Sequence, residues 1–155
     1  MLPDGLYYLP EYFSLAEIEE LVEHVDRQPW MDSLKRRVQH YGYIYDYRRR
    51  LVDETMFIGQ LPEWLARLSR RLYDNQLSDV LADQVIVNEY HPGQGIAPHI
   101  DCEPCFGDTI ISITLGGHCV MNFSHVETGE EVQVLLESGS LIRMVGEARY
   151  QWKHG

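Results

Sequence analysis

Cysteine is scarce in this 155-residue chain: three residues, an odd number, fit a reducing compartment better than a disulfide framework. Long apolar runs are lacking too, and none approaches the ~20 residues a membrane helix needs. The opening Met1-Leu2-Pro3-Asp4 has neither the basic start nor the apolar stretch of a secretory signal. The expectation is therefore a cytoplasmic protein with no membrane partner. Seven prolines and 12 glycines are too few for a collagen-like or disordered chain. No internal repeat, low-complexity tract or linker breaks the sequence, whose length suits a single domain spanning 1–155. Basic residues are the last shortage. Against 24 Asp/Glu there are 13 Lys/Arg, a net charge of −11 that disfavours non-specific adhesion to nucleic acid.

What basic charge there is lies together. Residues 27–50 hold seven Lys/Arg (Arg27, Lys35, Arg36, Arg37, Arg48, Arg49, Arg50) and two acids (Asp32, Asp46), a local +5. Residues 76–155 hold three Lys/Arg and 11 acids, a local −8. A basic patch on an acidic body is either a solvated face or a place where a polyanion docks, and charge alone leaves both open.

Ser14-Leu15-Ala16-Glu17 is a capping box, in which the serine oxygen and the glutamate each satisfy an orphan amide of the first turn. Leu15, Ile18, Leu21, Val22 and Val25 follow at helical spacing until Pro29 stops the helix. A second helix is expected from Pro62, with Trp64, Leu65, Leu68 and Leu72 as its apolar stripe. Between the helices, Tyr41, Tyr43, Tyr45 and Tyr47 recur at a spacing of two, which on a strand puts all four on one face. From residue 80 the pattern is β: Val85–Tyr90, Thr109–Leu115, Cys119–Phe123, Glu131–Leu136 and Ser140–Val145, separated by turn-forming residues. The expectation is an α+β fold, a sheet sandwich or jelly roll over about 81–155 behind supporting helices within about 1–80.

His99-Ile100-Asp101 follows the turn Pro92-Gly93-Gln94-Gly95. On extended chain, residues i and i+2 project to one side, so an imidazole and a carboxylate can reach the same cation. His154 is available as a third ligand, and two histidines with one carboxylate make a facial triad for Fe(II) with open positions. Taken alone, His154 reads sooner as a solvated C-terminal histidine than as a ligand. Cys102-Glu103-Pro104-Cys105 beside His99 offers a zinc alternative, completed by a remote histidine such as His118 or His125, in a non-catalytic metal-binding or interaction module. Cys119, inside an apolar strand, reads as an ordinary buried thiol.

The run Asn88-Glu89-Tyr90-His91-Pro92-Gly93-Gln94-Gly95-Ile96-Ala97-Pro98-His99-Ile100-Asp101 resembles the AlkB family of Fe(II)/2-oxoglutarate dioxygenases. So do Ile113-Thr114-Leu115-Gly116, Gly139-Ser140-Leu141-Ile142-Arg143-Met144, and Gly146-Glu147-Ala148-Arg149-Tyr150-Gln151-Trp152-Lys153-His154-Gly155. Within the family, the wording, including Arg36-Arg37-Val38-Gln39-His40-Tyr41-Gly42-Tyr43, is most similar to the oxygenase domains of tRNA wobble-uridine hydroxylases. The resemblance implies a double-stranded β-helix (jelly-roll) core, His99, Asp101 and His154 as iron ligands, and Asn88 and Tyr90 in the 2-oxoglutarate pocket. An amide and a phenol can both hydrogen-bond a carboxylate without adding charge. Arg149 resembles the family's arginine ahead of the distal histidine, either as part of the site or as half of a structural ion pair.

The family also carries an arginine for the far carboxylate of 2-oxoglutarate on a strand beyond that histidine, whereas this sequence ends at Gly155. Either the last strand and its arginine belong to a longer protein, which is the expectation, or co-substrate binding is weak or lost. The implied reaction couples oxidative decarboxylation of 2-oxoglutarate by O2 to hydroxylation of a substrate C–H. On an N-methyl group the product releases formaldehyde; on a carbon substituent the hydroxyl stays. The implied partner is nucleic acid, as tRNA or single-stranded DNA or RNA, for base repair or modification, by a protein expected to be a monomer. Related domains act on protein or lipid. Tyr41, Tyr43 and Tyr45 are the candidate base-stacking residues, and Arg36, Arg37, Arg48, Arg49 and Arg50 the candidate phosphate contacts.

Overall fold

A computed structural model describes all of residues 1–155. Its strands are β1 (Leu6–Leu9), β2 (Val38–Tyr41), β3 (Val85–Asn88), β4 (Ile110–Ile113), β5 (Cys119–His125), β6 (Glu131–Leu136), β7 (Leu141–Met144) and β8 (Trp152–His154). Its helices are α1 (Leu15–Asp26), α2 (Glu63–Asp74) and α3 (Gly146–Tyr150), with a 3-10 turn at Glu54–Met56. The chain divides into two compact units, one of Met1–Glu23 with Gly95–Gly155 and one of His24–Gln94, the boundary falling within α1.

Helix α1 starts where its cap dictates. The Glu17 amide donates to Ser14 Oγ at 3.2 Å, and the Ser14 amide donates to Glu17 Oε1 at 3.0 Å. In the first unit, β1-β7-β4 and β6-β5-β8 form two three-stranded sheets, antiparallel throughout. Leu6, Ile142 and Met144 of one sheet pack with Phe123, Val134, Leu136 and Trp152 of the other, joined by Ala148 of α3. Each such side chain contributes about 1.5–3 kcal/mol when fully buried. Strand β6 alternates as a half-buried strand should: Val134 and Leu136 point in, Gln133 and Leu135 out. Central strand β7 does not alternate. Leu141, Ile142 and Met144 are all buried, which is why its sequence is a nearly continuous apolar run.

The second unit pairs β2 with β3, from Val38↔Asn88 to Tyr41↔Val85. The strand expected at Val85–Tyr90 therefore belongs to this two-stranded sheet and not to either sheet of the first unit. Helix α2 takes Pro62 as its N-cap and buries Leu65, Ser69 and Leu72. Ser69 is the unexpected member of that set, and its hydroxyl donates to the Ala82 carbonyl at 3.0 Å.

The single-faced tyrosine strand does not form. Strand β2 ends at Tyr41 because Gly42 turns the chain with φ of 79°, and a Cβ there would lie 1.9 Å from the Asp83 carbonyl oxygen. Beyond it runs an irregular hairpin, held by Ile58 N–H to Gly42 O, Ile44 N–H to Met56 O and the reciprocal Asp46–Leu51 pair. The tyrosines disperse. Tyr41 donates to Gln39 Oε1 and meets Trp64 edge-on, Tyr43 contacts Phe57, and Tyr45 meets Tyr47, which also contacts His40.

Gly42→Ala is expected to destabilise the protein by more than the ~1–2 kcal/mol cost of a left-handed residue, since the clash adds to it. A fall in the urea midpoint with an unchanged slope is the signature to look for.

Candidate metal centre

Three side chains converge at the end of the first unit's second sheet. The His99 amide donates to the His154 carbonyl at 3.0 Å, and the His154 amide returns to the His99 carbonyl at 2.9 Å. This isolated antiparallel bridge sets the two imidazoles side by side, their centroids 4.5 Å apart. Strand β8 is itself held by β5, with Phe123 opposite His154. Gly155 then exchanges backbone hydrogen bonds with Asn122, and a Cβ on it would lie 2.7 Å from the Ile96 carbonyl oxygen. A glycine is what allows the 96–98 segment to approach so closely.

Asp101, two residues beyond His99, puts Oδ1 3.3 Å from His99 Nε2 and Oδ2 3.5 Å from His154 Nε2. One ligand atom from each of the three lies within 4.8 Å of the others. His99 Nδ1 sits 2.8 Å from the Ala97 carbonyl. A carbonyl only accepts, so Nδ1 carries the proton and Nε2 keeps its lone pair for a cation. Burial pushes the Asp101 carboxyl up, but its contacts with His99, His154 and Arg149 outweigh this and hold it below the usual carboxylate range, so the group stays ionised. Burial pushes the His154 imidazole down, against the pull of Asp101, which keeps it neutral and able to ligate. Two imidazole Nε2 atoms and one carboxylate fit a first-row divalent metal.

Arg149 is 2% exposed and serves this centre through the backbone. It donates to the carbonyls of Asp101 at 2.8 Å, Gly107 at 3.2 Å and Cys102 at 3.4 Å. It is thus a clamp on the 101–107 loop: its hydrogen bonds go to carbonyls, not to a carboxylate. The cysteine expectation is corrected. Cys102 and Cys105 are joined as a disulfide immediately after Asp101, so the pair supplies no thiolates and the zinc alternative loses its ligands. Cys119 is exposed rather than buried, because β5 opens on its solvent side.

The remaining candidates lie in the second unit. Asn88 ends β3, and its Oδ1 accepts from Arg36 Nε at 2.8 Å. Tyr90 is 42% exposed, with the Arg36 guanidinium 6.0 Å from its ring centroid and 5.3 Å from that of Tyr47. Arg37 makes a bidentate pair with Glu89 at 2.6 and 2.8 Å and lies over the Trp30 ring. That hydrogen bond holds the Glu89 carboxyl below its usual range. Arg48, Arg49 and Arg50 are exposed at the tip of the hairpin, where Asp46 Oδ1 accepts the amides of Arg48 and Arg49 at 3.0 and 2.8 Å. Tyr41, Tyr43 and Tyr45 are each half-buried. The well-exposed ring of the hairpin is Phe57, at 52%, a residue the tyrosine periodicity did not single out. Glu89, Ala97 and the disulfide were also not foreseen. None had a local cue: the Glu89 pairing follows from the β2–β3 register, which continued by one residue sets Arg37 opposite it.

The fold and this cluster define a class: the chain belongs to the 2OG-Fe(II) oxygenase superfamily, whose family model matches residues 5–155. Within it the chain is AlkB-like. It is 36% identical over 172 residues to the "alkylated DNA repair protein ALKBH8 homolog" of Arabidopsis thaliana, covering 97% of this chain and 50% of that protein. It is 41% identical over 162 residues to the mouse "tRNA (carboxymethyluridine(34)-5-O)-methyltransferase ALKBH8", covering 99% of this chain and 24% of that one. The chain thus spans half or less of these relatives. The solved structure of OsALKBH1 superposes with a TM-score of 0.77 at 14% identity, covering 99% of this chain and 85% of that chain, which establishes the double-stranded β-helix fold. No helix is long and apolar enough to cross a membrane.

His99→Ala and Asp101→Ala are expected to lose metal binding in an anaerobic titration while melting as folded proteins. Arg149→Leu should weaken metal binding and also destabilise by about 1–3 kcal/mol, because its carbonyl partners are left buried and unpaired. A variant that binds metal like the parent would remove that residue from the centre.

Proposed function

We propose that this domain, taken as one catalytic unit over 1–155, is an Fe(II)- and 2-oxoglutarate-dependent dioxygenase that hydroxylates or oxidatively demethylates a nucleobase. A modified uridine in a tRNA anticodon loop is the first substrate to test, and N-methylated single-stranded DNA the second. The observation that carries the reading is the His99–Asp101–His154 cluster in a chain of this superfamily. The names of the plant and mouse relatives support a nucleic-acid substrate.

His99 Nε2, His154 Nε2 and an Asp101 oxygen would hold the iron. When bound, iron and 2-oxoglutarate supply the oxidation: O2 gives one oxygen atom to succinate, formed with CO2, and one to the substrate C–H. The chain's own residues orient and hold. The Ala97 carbonyl fixes the His99 tautomer, and Arg149 fixes the loop that carries Asp101. Asn88 and Tyr90 would line the 2-oxoglutarate pocket and hydrogen-bond a carboxylate there as neutral groups. Phosphate contacts fall to Arg48, Arg49 and Arg50, because Arg37 is engaged by Glu89. Base stacking falls to Phe57, the most exposed ring of the same hairpin, more than to the half-buried Tyr41, Tyr43 and Tyr45.

Purified protein should convert 2-oxoglutarate to succinate only with Fe(II) and O2, and His99→Ala or Asp101→Ala should stop it. Equal turnover in these variants would reject the assignment. Replacing Arg48, Arg49 and Arg50 with Ser should weaken all RNA sequences alike and flatten the salt dependence of binding. Phe57→Ala should lose about 1–3 kcal/mol of single-strand affinity without lowering the melting temperature. Tyr43→Ala should mainly lower the melting temperature. RNA and DNA bound no more tightly than a neutral peptide at low salt would send the search to protein or lipid substrates.

A further inference from the structure

Arg36, like Arg37, is engaged within the protein, but by polar and aromatic side chains and not by an acid. It is half-buried, whereas Lys35 and Arg37 on either side are exposed. Its Nε donates to Asn88 Oδ1 at 2.8 Å, and its guanidinium lies against the rings of Tyr47 and Tyr90 at 5.3 and 6.0 Å. It therefore touches both residues that the proposed function gives to 2-oxoglutarate, Asn88 directly and Tyr90 through its ring.

The contact with Asn88 has a chemical consequence. A side-chain amide has two ends, and only its NH2 can donate to a carboxylate. A guanidinium has donors and no acceptor, so its Nε–H bonds only to the amide oxygen. With Oδ1 held by Arg36, the amide is locked with its donor end directed elsewhere. An unlocked amide would spend part of its time with the oxygen outward, where it repels a carboxylate. Tyr90 lies two residues along the extended chain from Asn88, so both respond to the same cation. The guanidinium also brings a positive charge beside two neutral carboxylate binders without itself having to touch the ligand.

We propose that Arg36 is the positioning residue for 2-oxoglutarate: it fixes the orientation of Asn88 and stacks against Tyr90, so that the pair binds a dicarboxylate in one geometry. The proposal rests on the reading of Asn88 and Tyr90 as co-substrate residues. It makes Arg36 a determinant of co-substrate affinity and not of nucleic-acid affinity, in contrast to Arg48, Arg49 and Arg50 on the same unit.

The test is anaerobic calorimetric titration of 2-oxoglutarate into the Fe(II)-loaded protein, with Arg36→Ala, Arg36→Lys, Asn88→Ala and the Arg36→Ala/Asn88→Ala double variant. Metal affinity and melting temperature are measured on each. Arg36→Ala is expected to raise the Kd for 2-oxoglutarate about tenfold or more, the loss of a charge-assisted hydrogen bond. Metal affinity should not change. Arg36→Lys, which keeps a donor but not the planar stack, should recover part of the loss. Because Arg36 acts largely through Asn88, the double variant should bind little more weakly than Asn88→Ala alone. A Kd that rises for Asn88→Ala and stays put for Arg36→Ala overturns the positioning role and leaves the co-substrate reading standing. Full additivity in the double variant overturns it as well, since Arg36 would then act independently of Asn88. If Asn88→Ala and Tyr90→Phe both leave the Kd unchanged, the co-substrate reading itself falls. An Arg36→Ala variant with normal 2-oxoglutarate binding and weakened RNA binding would return Arg36 to the phosphate contacts and overturn the proposal.

Discussion

The reciprocal backbone hydrogen bonds between His99 and His154 are the constraint on which the metal centre depends. Directly opposed residues of an antiparallel pair project to the same face, so one bridge is enough to bring two imidazoles together from distant parts of the chain. Asp101 joins them because it lies two residues further on the same extended segment. The three ligands thus come from two stretches of backbone whose polar groups are already satisfied, and no side chain has to reach. The bridge is in turn only as firm as β8. That strand is held against β5 by Phe123 opposite His154, and Trp152 anchors it in the core. The precision of the ligand geometry is therefore bought by apolar packing in the first unit.

Charge at the centre is balanced without a direct counter-ion. Asp101 remains ionised beside two imidazoles, of which His154 is kept neutral by burial. Arg149 contributes its field from behind while its N–H groups are occupied by carbonyls of residues 101, 102 and 107. A guanidinium bound directly to the carboxylate would compete with a metal for the same oxygens. Placed behind the loop, it holds Asp101 in position and leaves those oxygens to the cation. The Cys102–Cys105 disulfide tightens the same loop from within.

Local signals survived translation into structure, and non-local ones did not. The Ser14–Glu17 box, the β pattern of Glu131–Leu136 and the His-x-Asp spacing each concern residues within a few positions of one another, and all appear as read. The tyrosine periodicity failed at one residue. Gly42 lies where the chain passes close to Asp83, an approach that no pattern in residues 41–47 can announce. The short strands β1 and β8 and helix α3 carry too few residues to show a period, and exist because their partners are there. The same holds for Arg36, Arg37 and Arg149. As a run of like charge, the first two look like one basic patch. The β2–β3 register, in which Val38 faces Asn88, divides them: continued by one residue it sets Arg37 against Glu89, while the Arg36 side chain reaches diagonally to the Asn88 amide.

That division leaves the basic charge of the hairpin concentrated at its tip, and the tip is ordered in advance. Asp46 spends one carboxylate oxygen on the Arg48 and Arg49 amides, which closes the turn and presents three consecutive arginines from a fixed backbone. Its other oxygen lies 4.0 Å from Arg49 Nε, an exposed pair of the kind worth about 0–1 kcal/mol. Exchanging that contact for a phosphate therefore costs little, and the backbone ordering that binding would otherwise require is already complete. An acidic protein can hold a polyanion on these terms provided that its acids lie elsewhere. Here one acid in the turn serves to shape it, and the surplus of negative charge lies in residues 1–26 and beyond residue 75.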